Sequence, residues 1–534
     1  MPKPTYILHR LSCIQVSKYQ WVVKRFFASP KNEGLGSSVV VTSVFPDDSA
    51  SAAGVRTRFL LERLGQHAHR STWDDQKEEA VESGGSVFLT TTDKDWEQSP
   101  CGKRVRNEQA HQPWIPNLKV EHLPMNRSHA FDRFLSKHQD KGIDRIIFDR
   151  FYVEEAFAHS FSEASARSPN HKPALILDMQ DMHSLRHGRQ EVVRKMDGAL
   201  QNEKWQHQHD PLKHVIPEVM TYVPTIDGDE KDSDRLLREL TSIHRCDLTL
   251  VCSPYEMDLL QRHYGIPKDK LCLASFFVDP SNIVQTTNNR IGGRKVLQDD
   301  GETKLIFCGG FRHDPNVDAV QVLLKHVWPK LRTMVPPSSY KKVSLHIHGA
   351  YCPDSILQFH SPQDGIFIHG FTPRLEDIFD NQSCRNILLA PLRFGAGIKG
   401  KILDAWMNGM PVVTTPIGSE GIIEVQKKED NDFGGAVCST VQDFCENVIE
   451  LMTNSGGCYT KAQTRGFPLL QKEFDSERNW GVIQQELQSL QDGLTDRRRR
   501  DTVRAMLWHQ SLRSTKYFSK WIEEKETKQT KEER

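Results

Sequence analysis

The chain reads as an α/β protein built from two doubly wound domains in tandem. Three observations predict this. Short, continuous β-branched or aliphatic runs recur along the chain, as strands buried on both faces require. Amphipathic helical stretches alternate with them, the pattern of parallel sheets covered by helices. A polar, glycine-containing stretch at residues 281–303 interrupts the alternation, and a second series starts at Lys304. For 534 residues, two domains plus tails is the expected partition.

In chain order, residues 1–37 form an extension and SVVVTSV (Ser38–Val44) is the first strand. The turn FPDDSASAAG leads to the helix VRTRFLLERLGQ, an opening typical of doubly wound domains. The polar stretch Ala68–Pro116 holds one strand, SVFLTTT. Strands return at RIIFDRF (145–151) and ALILDM (174–179). Beyond the polar segment 198–232, Ser233–Cys246 reads as a helix, DLTLVCS (247–253) as a strand, and PYEMDLLQRHYG as a helix stopped by Gly265. LCLASFFVDP closes a first domain over 38–280.

The second domain, 304–470, opens with KLIFCGG, a strand running into a glycine turn. DAVQVLLKHVWPKL has helical spacing. VSLHIHG, GIFIHG, RNILLAPL and PVVTT are further strands, with helices PRLEDIFD and GKILDAWMNG between them. Residues 471–534 form a polar helical extension. Its last amphipathic helix, Thr502–Glu524, either packs Phe518 and Trp521 on the first domain or lies on an anionic membrane surface; the interrupted apolar stripe favours packing. The final residues, KETKQTKEER, read as a disordered tail.

Net charge is zero with 26% charged residues, so nothing steers the chain toward nucleic acid. The 11 cysteines are scattered without a C-x-x-C pair, which argues for free thiols in a reducing, intracellular compartment and against a disulfide frame or a zinc site. With 23 histidines, most, including His207–His209, are expected to be solvated or structural. No apolar run is long enough to span a bilayer. The first 32 residues hold Lys3, Arg10, Lys18, Lys24, Arg25 and Lys31 and no acid. This resembles an organelle transit peptide, with Arg25-Phe-Phe-Ala-Ser29 like a mitochondrial processing site; a disordered extension on a cytoplasmic protein is the alternative.

The most specific string is PLRFGAGIKGK (Pro391–Lys401), followed by ILDAWMNGMPVVTT and IGSEG. It lies between a strand and a helix. Its glycines let the backbone approach a ligand closely. The helix start offers unpaired N–H donors and a positive dipole end, and Lys399 and Lys401 add full charge. Together these suit phosphate anions. Asp404, one turn into that helix, either accepts hydrogen bonds from a ribose diol or simply favours the helix N-terminus.

Residues 304–425 resemble the donor domain of family 4 glycosyltransferases (glycosyl transferases group 1), whose GT-B architecture sets two Rossmann-like domains facing a cleft. The resemblance implies that Phe307-Cys-Gly309-Gly310 lies near a donor diphosphate. Phe394-Gly395-Ala396-Gly397-Ile398-Lys399 would wrap sugar and phosphates, and Asp404 would take the ribose where the family more often has Glu. Gly349 and Gly370-Phe371 match strand ends, the latter usually near the base. Departures are equally visible. The family's Arg–Lys pair after the first glycine turn is replaced by GFRHDPN, leaving Arg312 and Lys399 as substitutes, and its two glutamates become Ala396 and Asp404.

The resemblance also implies transfer of a sugar from a nucleoside diphosphate sugar, with retention, no required cofactor and no metal ligands to assign. The acceptor, whether carbohydrate, lipid or protein, would face the first domain, and the oligomeric state is open. Three strand-end patches could line that side: Ser51–Arg56, Asp149–Glu155 and Asp178–Arg186. The last holds a candidate base and hydrogen-bonding groups in Asp181 and His183. The alternatives are a nucleotide-sugar-binding protein without catalysis or a GT-B sugar-nucleotide epimerase; no lysine context supports a phosphorylase.

Overall fold

The valine run of Ser37–Thr42 (β1) is buried along its whole length, as a strand covered on both faces should be. Around it the computed structural model builds a seven-stranded sheet in the order β5-β4-β1-β6-β7-β8-β9. Its other members are β4 (Val87–Thr91), β5 (Leu118–His122), β6 (Ile143–Asp149), β7 (Ala174–Asp178), β8 (Leu248–Val251) and β9 (Leu271–Leu273). Every pairing in it is parallel. The structure describes residues 35–46, 52–74, 79–93, 97, 103, 118–124, 129–138, 142–167, 173–201, 210–228, 230–279, 281, 302–335, 342–372, 375–379, 384–422, 433–509, 517, 521 and 524–525. The basic extension, His207–His209, most of the 281–303 segment and Phe518 lie outside these residues.

The second sheet runs β12-β11-β10-β13-β14-β15, again all parallel. Its strands are β10 (Thr303–Cys308), β11 (Val343–His348), β12 (Ile366–Gly370), β13 (Arg385–Ala390), β14 (Val412–Thr414) and β15 (Gly435–Val437). In domain order this is 3-2-1-4-5-6, the doubly wound sequence in which the chain starts at the centre and winds outward twice. The two faces of β10 feed different cores. Leu305 and Phe307 pack with the helices on one side, Ile306 and Cys308 with those on the other.

After the second domain the chain crosses back. Val278, near the end of the first domain, and the segment Phe474–Ser476 exchange backbone hydrogen bonds of 2.7 and 3.0 Å. Asp475 then caps the helix Ser476–Arg500 by accepting from the Arg478 amide. Trp480, Ile483, Leu487 and Leu490 on that helix join the first-domain core with Val40 and Leu61. Burial of each such side chain contributes roughly 1.5–3 kcal/mol. Further on, Arg498 pairs with Asp247 at 2.6 Å, and Trp508 Nε1 donates to the Arg245 carbonyl. Trp521, by contrast, is 55% exposed, so the expected packing face is realised at Trp508 and not at Trp521. Among the described residues no helix is long and apolar enough to cross a membrane.

Other elements differ from the sequence reading. The first helix starts at Ala52, three residues before the expected Val55, so Ala52–Arg56 of the first strand-end patch are helical. The polar stretch after it contains an antiparallel hairpin, β2 (His69–Asp74) with β3 (Glu79–Gly84), whose sequence lacks apolar alternation. The helix at Pro254 widens by one residue per turn at Leu259–His263. Nine described cysteines carry free thiols.

Candidate functional site

In a doubly wound sheet the strand order reverses at one point, and the loops leaving the two strands there open a crevice beyond their C-terminal ends. In the second sheet that point lies between β10 and β13. Both glycine-rich segments emerge from it. Gly309 and Gly310 follow β10, and residues 391–399 follow β13 and enter the helix Gly400–Met407.

The glycines are there because of what stands beside them. A Cβ on Gly309 would lie 2.8 Å from both Lys401 Nζ and Asn316 Nδ2. A Cβ on Gly349, at the end of β11, would lie 2.3 Å from the Gly309 carbonyl oxygen. Gly397 has φ +66°, a left-handed conformation open to glycine at little cost. Its missing Cβ leaves room for the Cβ of Asp181 in the first domain, 3.0 Å away. Gly370 is also left-handed (φ +71°), and Phe371 after it is 49% exposed.

Lys401 donates to Asn316 Oδ1 (2.7 Å) and sits 4.3 Å from the centre of the Phe307 ring, while Asn316 donates to the Gly310 carbonyl. Burial lowers its ammonium to about 8. Lys399 is buried and donates to the Gly397 carbonyl at 2.8 Å. Burial lowers its pKa too, against the opposing pull of Glu420. Asp404 is pushed up to about 7 by burial alone, and among the described residues none donates to its carboxylate. Burial thus disfavours the charged form of all three groups. A diphosphate would restore it in the lysines, and hydroxyl donors in Asp404.

From the first domain, the helix His183–Gln201 points its start into the same crevice. Asp181 bonds Arg186 and lies 3.4 Å from His183 Nε2. Burial pushes the Asp181 carboxyl up, but Arg186 and His183 together outweigh it and hold it well below the usual range. His183 packs edge-on to Phe151, 5.5 Å between ring centres. The three strand-end patches come together around it. Arg56 pairs with Asp178 at 2.8 Å and donates to the Ala274 carbonyl. Gln180 donates to Asp178 at 3.0 Å. Burial raises Asp178 to about 6, although Arg56 opposes it. Arg150 (φ +74°) and Gln180 (φ +61°) hold left-handed conformations unusual for their types, which marks strain at these strand ends. Asp149 Oδ1, Asp178 Oδ1 and His183 Nε2 are buried without a hydrogen-bond partner among the described residues.

Three residues that the sequence reading did not single out tie the halves together. Arg189, fully buried, makes a bidentate pair with Glu420 (2.7 Å each) and donates to the Gly395 carbonyl. Glu256 Oε1 accepts from the Gly397 amide (2.8 Å) and the Met182 amide (3.0 Å), while its Oε2 is buried without a partner among the described residues. Burial, then the nearby Asp181 charge, raises Glu256 to about 8. Glu420 lies in the IGSEG string, but neither Arg189 nor Glu256 carries a local signal. Ile398 is buried against Ile402 and Leu403. Among the expected site residues Arg312 is exposed, with its guanidinium 3.7 Å over the Tyr351 ring.

Residues 302–454 match the family model described as Glycosyl transferases group 1. No curated protein matches the chain. Among solved structures, HepE from Anabaena in complex with UDP superposes with a TM-score of 0.52 at 10% identity, covering 85% of this chain and 100% of that one. HepE with UDP-glucose gives 0.50 at 11% identity, covering 85% and 99%. A glycosyltransferase from Rickettsia africae ESF-5 gives 0.51 at 9% identity, covering 85% and 98%. At such identities the likeness is one of fold: two Rossmann-like domains facing a cleft, the GT-B arrangement.

Proposed function

We propose that this GT-B chain is a glycosyltransferase that moves a sugar from a nucleoside diphosphate sugar, first of all a UDP-sugar, to an acceptor hydroxyl held by the first domain. One observation carries the reading. The glycine loop, the two lysines and the helix start meet at the switch point of the second sheet, and Gly397 faces Asp181 across the cleft so closely that a Cβ there would lie 3.0 Å from the aspartate. The family match over 302–454 and the UDP and UDP-glucose complexes of HepE support the choice of donor.

In this reading the diphosphate lies over Gly309, Gly310 and the start of the helix Gly400–Met407. Lys399, Lys401 and the free amides there neutralise the charge that grows on the leaving phosphate. Arg312 reaches the diphosphate by leaving Tyr351. Asp404 takes the ribose diol, and Gly370-Phe371 flank the base. Asp181 and His183 position the acceptor hydroxyl, and this pair takes up its proton. Glu256 holds the Gly397 amide in place, and with Ala396 where the family has glutamate, it is a cleft carboxyl next to the sugar loop, as is Asp181. No metal is required in this scheme because fixed cations do its electrostatic work, and the family resemblance supports retention.

The test is a thermal-shift titration of the full chain with UDP, GDP, ADP, dTDP and CMP, since a nucleotide that binds only the native state raises its apparent stability. A shift with UDP that disappears in Lys399→Ala and Asp404→Ala supports the site. No shift with any nucleotide at millimolar level rejects it. The replaced Arg–Lys pair and Ala396 favour one second reading, a nucleotide-sugar-binding protein without turnover. That protein would bind UDP yet release none from any UDP-sugar.

A further inference from the structure

Beside Gly349 and Gly370, the edge of the second sheet carries a group of histidines to which the proposed function gives no role. Period-2 alternation along β11 (VSLHIH) buries Leu345 and Ile347 and turns Ser344, His346 and His348 to the opposite face. β12, the edge strand, does the same: Ile366 and Ile368 are buried, while Phe367 and His369 turn outward. The parallel register pairs Ile347 with Ile368 and then shifts, so that His348 faces Gly370. His369 therefore falls between the two β11 histidines. Its ring centre is 5.1 Å from that of His346 and 4.3 Å from that of His348, with planes within 8°. One ring nitrogen of each residue lies within 4.8 Å of the others.

The hydrogen bonds select which nitrogens are left for a ligand. Ser344 Oγ is 2.8 Å from His346 Nε2, and Thr372 Oγ1 is 2.9 Å from His348 Nδ1. A metal-binding imidazole is normally held in this way through its other nitrogen. That leaves His346 Nδ1, His348 Nε2 and a nitrogen of His369, whose Nε2 is already 2.9 Å from His346 Nδ1. Tetrahedral coordination at the usual zinc–nitrogen distance sets ligand nitrogens roughly 3.3 Å apart. The His346–His369 pair would open by a few tenths of an ångström and His348 would turn inward. His369 is exposed, at the open edge of the sheet, and is placed to adjust.

We propose that His346, His348 and His369 form a binding site for a late first-row divalent cation of the zinc class, with solvent as its fourth ligand. An all-imidazole set favours zinc, copper, nickel and cobalt over magnesium and calcium, which prefer oxygen. Lys304 on β10, opposite Ser344 of β11, brings a positive charge to the same face and tempers the affinity. The ion would pin the edge strand to β11 just before Gly370 and Phe371.

The test uses tag-free full-length protein stripped with a chelator and titrated with Co2+, then Zn2+. The expected result is one equivalent of Co2+ with a visible absorption band, displaced by Zn2+ and unaffected by excess Mg2+. His369→Ala and His348→Ala weaken uptake by roughly ten-fold or more, whereas His263→Ala, an exposed histidine elsewhere, does not. The fold of each variant is checked by its melting curve without metal. No uptake at submillimolar Co2+, or equal uptake by wild type and His369→Ala, overturns the site.

Discussion

Glu256 offers the sharpest test of the cleft. Its carboxyl is fully buried, accepts a backbone N–H bond from Met182 in its own domain and one from Gly397 across the domain boundary, and is raised from 4.5 to about 8. Between those values the folded protein holds a proton that the unfolded chain has lost. Stability therefore falls as pH rises through this window. The contribution is fully present below pH 4.5 and is lost as pH passes about 8. At about 1.4 kcal/mol per unit, the loss is about 3 kcal/mol by pH 7 and about 5 kcal/mol above pH 8. Glu256→Gln keeps the oxygen that accepts from Met182 and Gly397 and removes the titration. Its pH-independent cost, two amide protons in place of one hydroxyl, shifts the whole curve equally. Urea unfolding at pH 5, 7 and 9 would show the variant gaining on wild type by those amounts as pH rises. A difference that stays constant across the range, or shrinks with pH, refutes the assignment.

Lys401→Met should weaken UDP binding by roughly ten- to a hundred-fold, the worth of one charge-assisted hydrogen bond. At pH 8 the wild type should also take up more protons on binding than the variant, because a diphosphate raises a lysine poised at about 8; calorimetry in two buffers reads the difference, and equal uptake counts against phosphate contact. Gly349→Ala drives a Cβ to 2.3 Å from the Gly309 carbonyl, so a melting curve should show a loss of roughly 1–3 kcal/mol, and unchanged stability would contradict the close approach of these turns. Arg189→Leu leaves Glu420 buried without its partner and should cost about 3–5 kcal/mol. Adding Glu420→Leu should recover much of that loss, and simple additivity of the two would argue against a coupled pair.

Much of the architecture was legible because buried parallel strands announce themselves. Val39–Val41 and KLIFC could be little else, and the glycines after the second marked its switch point. The hairpin β2–β3 was missed because its strands are polar and carry no alternation. The site divides along the same line. Lys399, Lys401, Asp404 and the glycines sit in one contiguous string, and local spacing brought them out together. Arg189 and Glu256 are 231 and 141 residues from their partners Glu420 and Gly397. Their roles depend on how one domain meets the other, which no window of sequence contains. Arg312 illustrates the converse. It occupies the expected position in sequence, but its guanidinium lies over an aromatic neighbour, Tyr351.

The helix His183–Gln201 explains why the hidden residues matter together. Arg186, Arg189, Gln190, Val193 and Asp197 recur at helical spacing and so share one stripe. That stripe addresses the second domain. Arg189 holds Glu420 and the Gly395 carbonyl, Gln190 donates to Asp314, Val193 joins the second-domain core, and Asp197 receives Arg393. Because the stripe is mostly polar, hydrophobic periodicity does not reveal it. Its bonds to Gly395 and Arg393 end on the loop between β13 and the helix Gly400–Met407. The loop at Arg393–Gly395 is thus shaped by a first-domain helix at whose start lie Asp181 and His183, the pair to which the proposed function gives the acceptor. Any motion that parts the domains must break the buried Arg189–Glu420 pair and release the loop at once. In the glycosyltransferase reading, the geometry that stabilises a leaving diphosphate exists only while the acceptor side is in place.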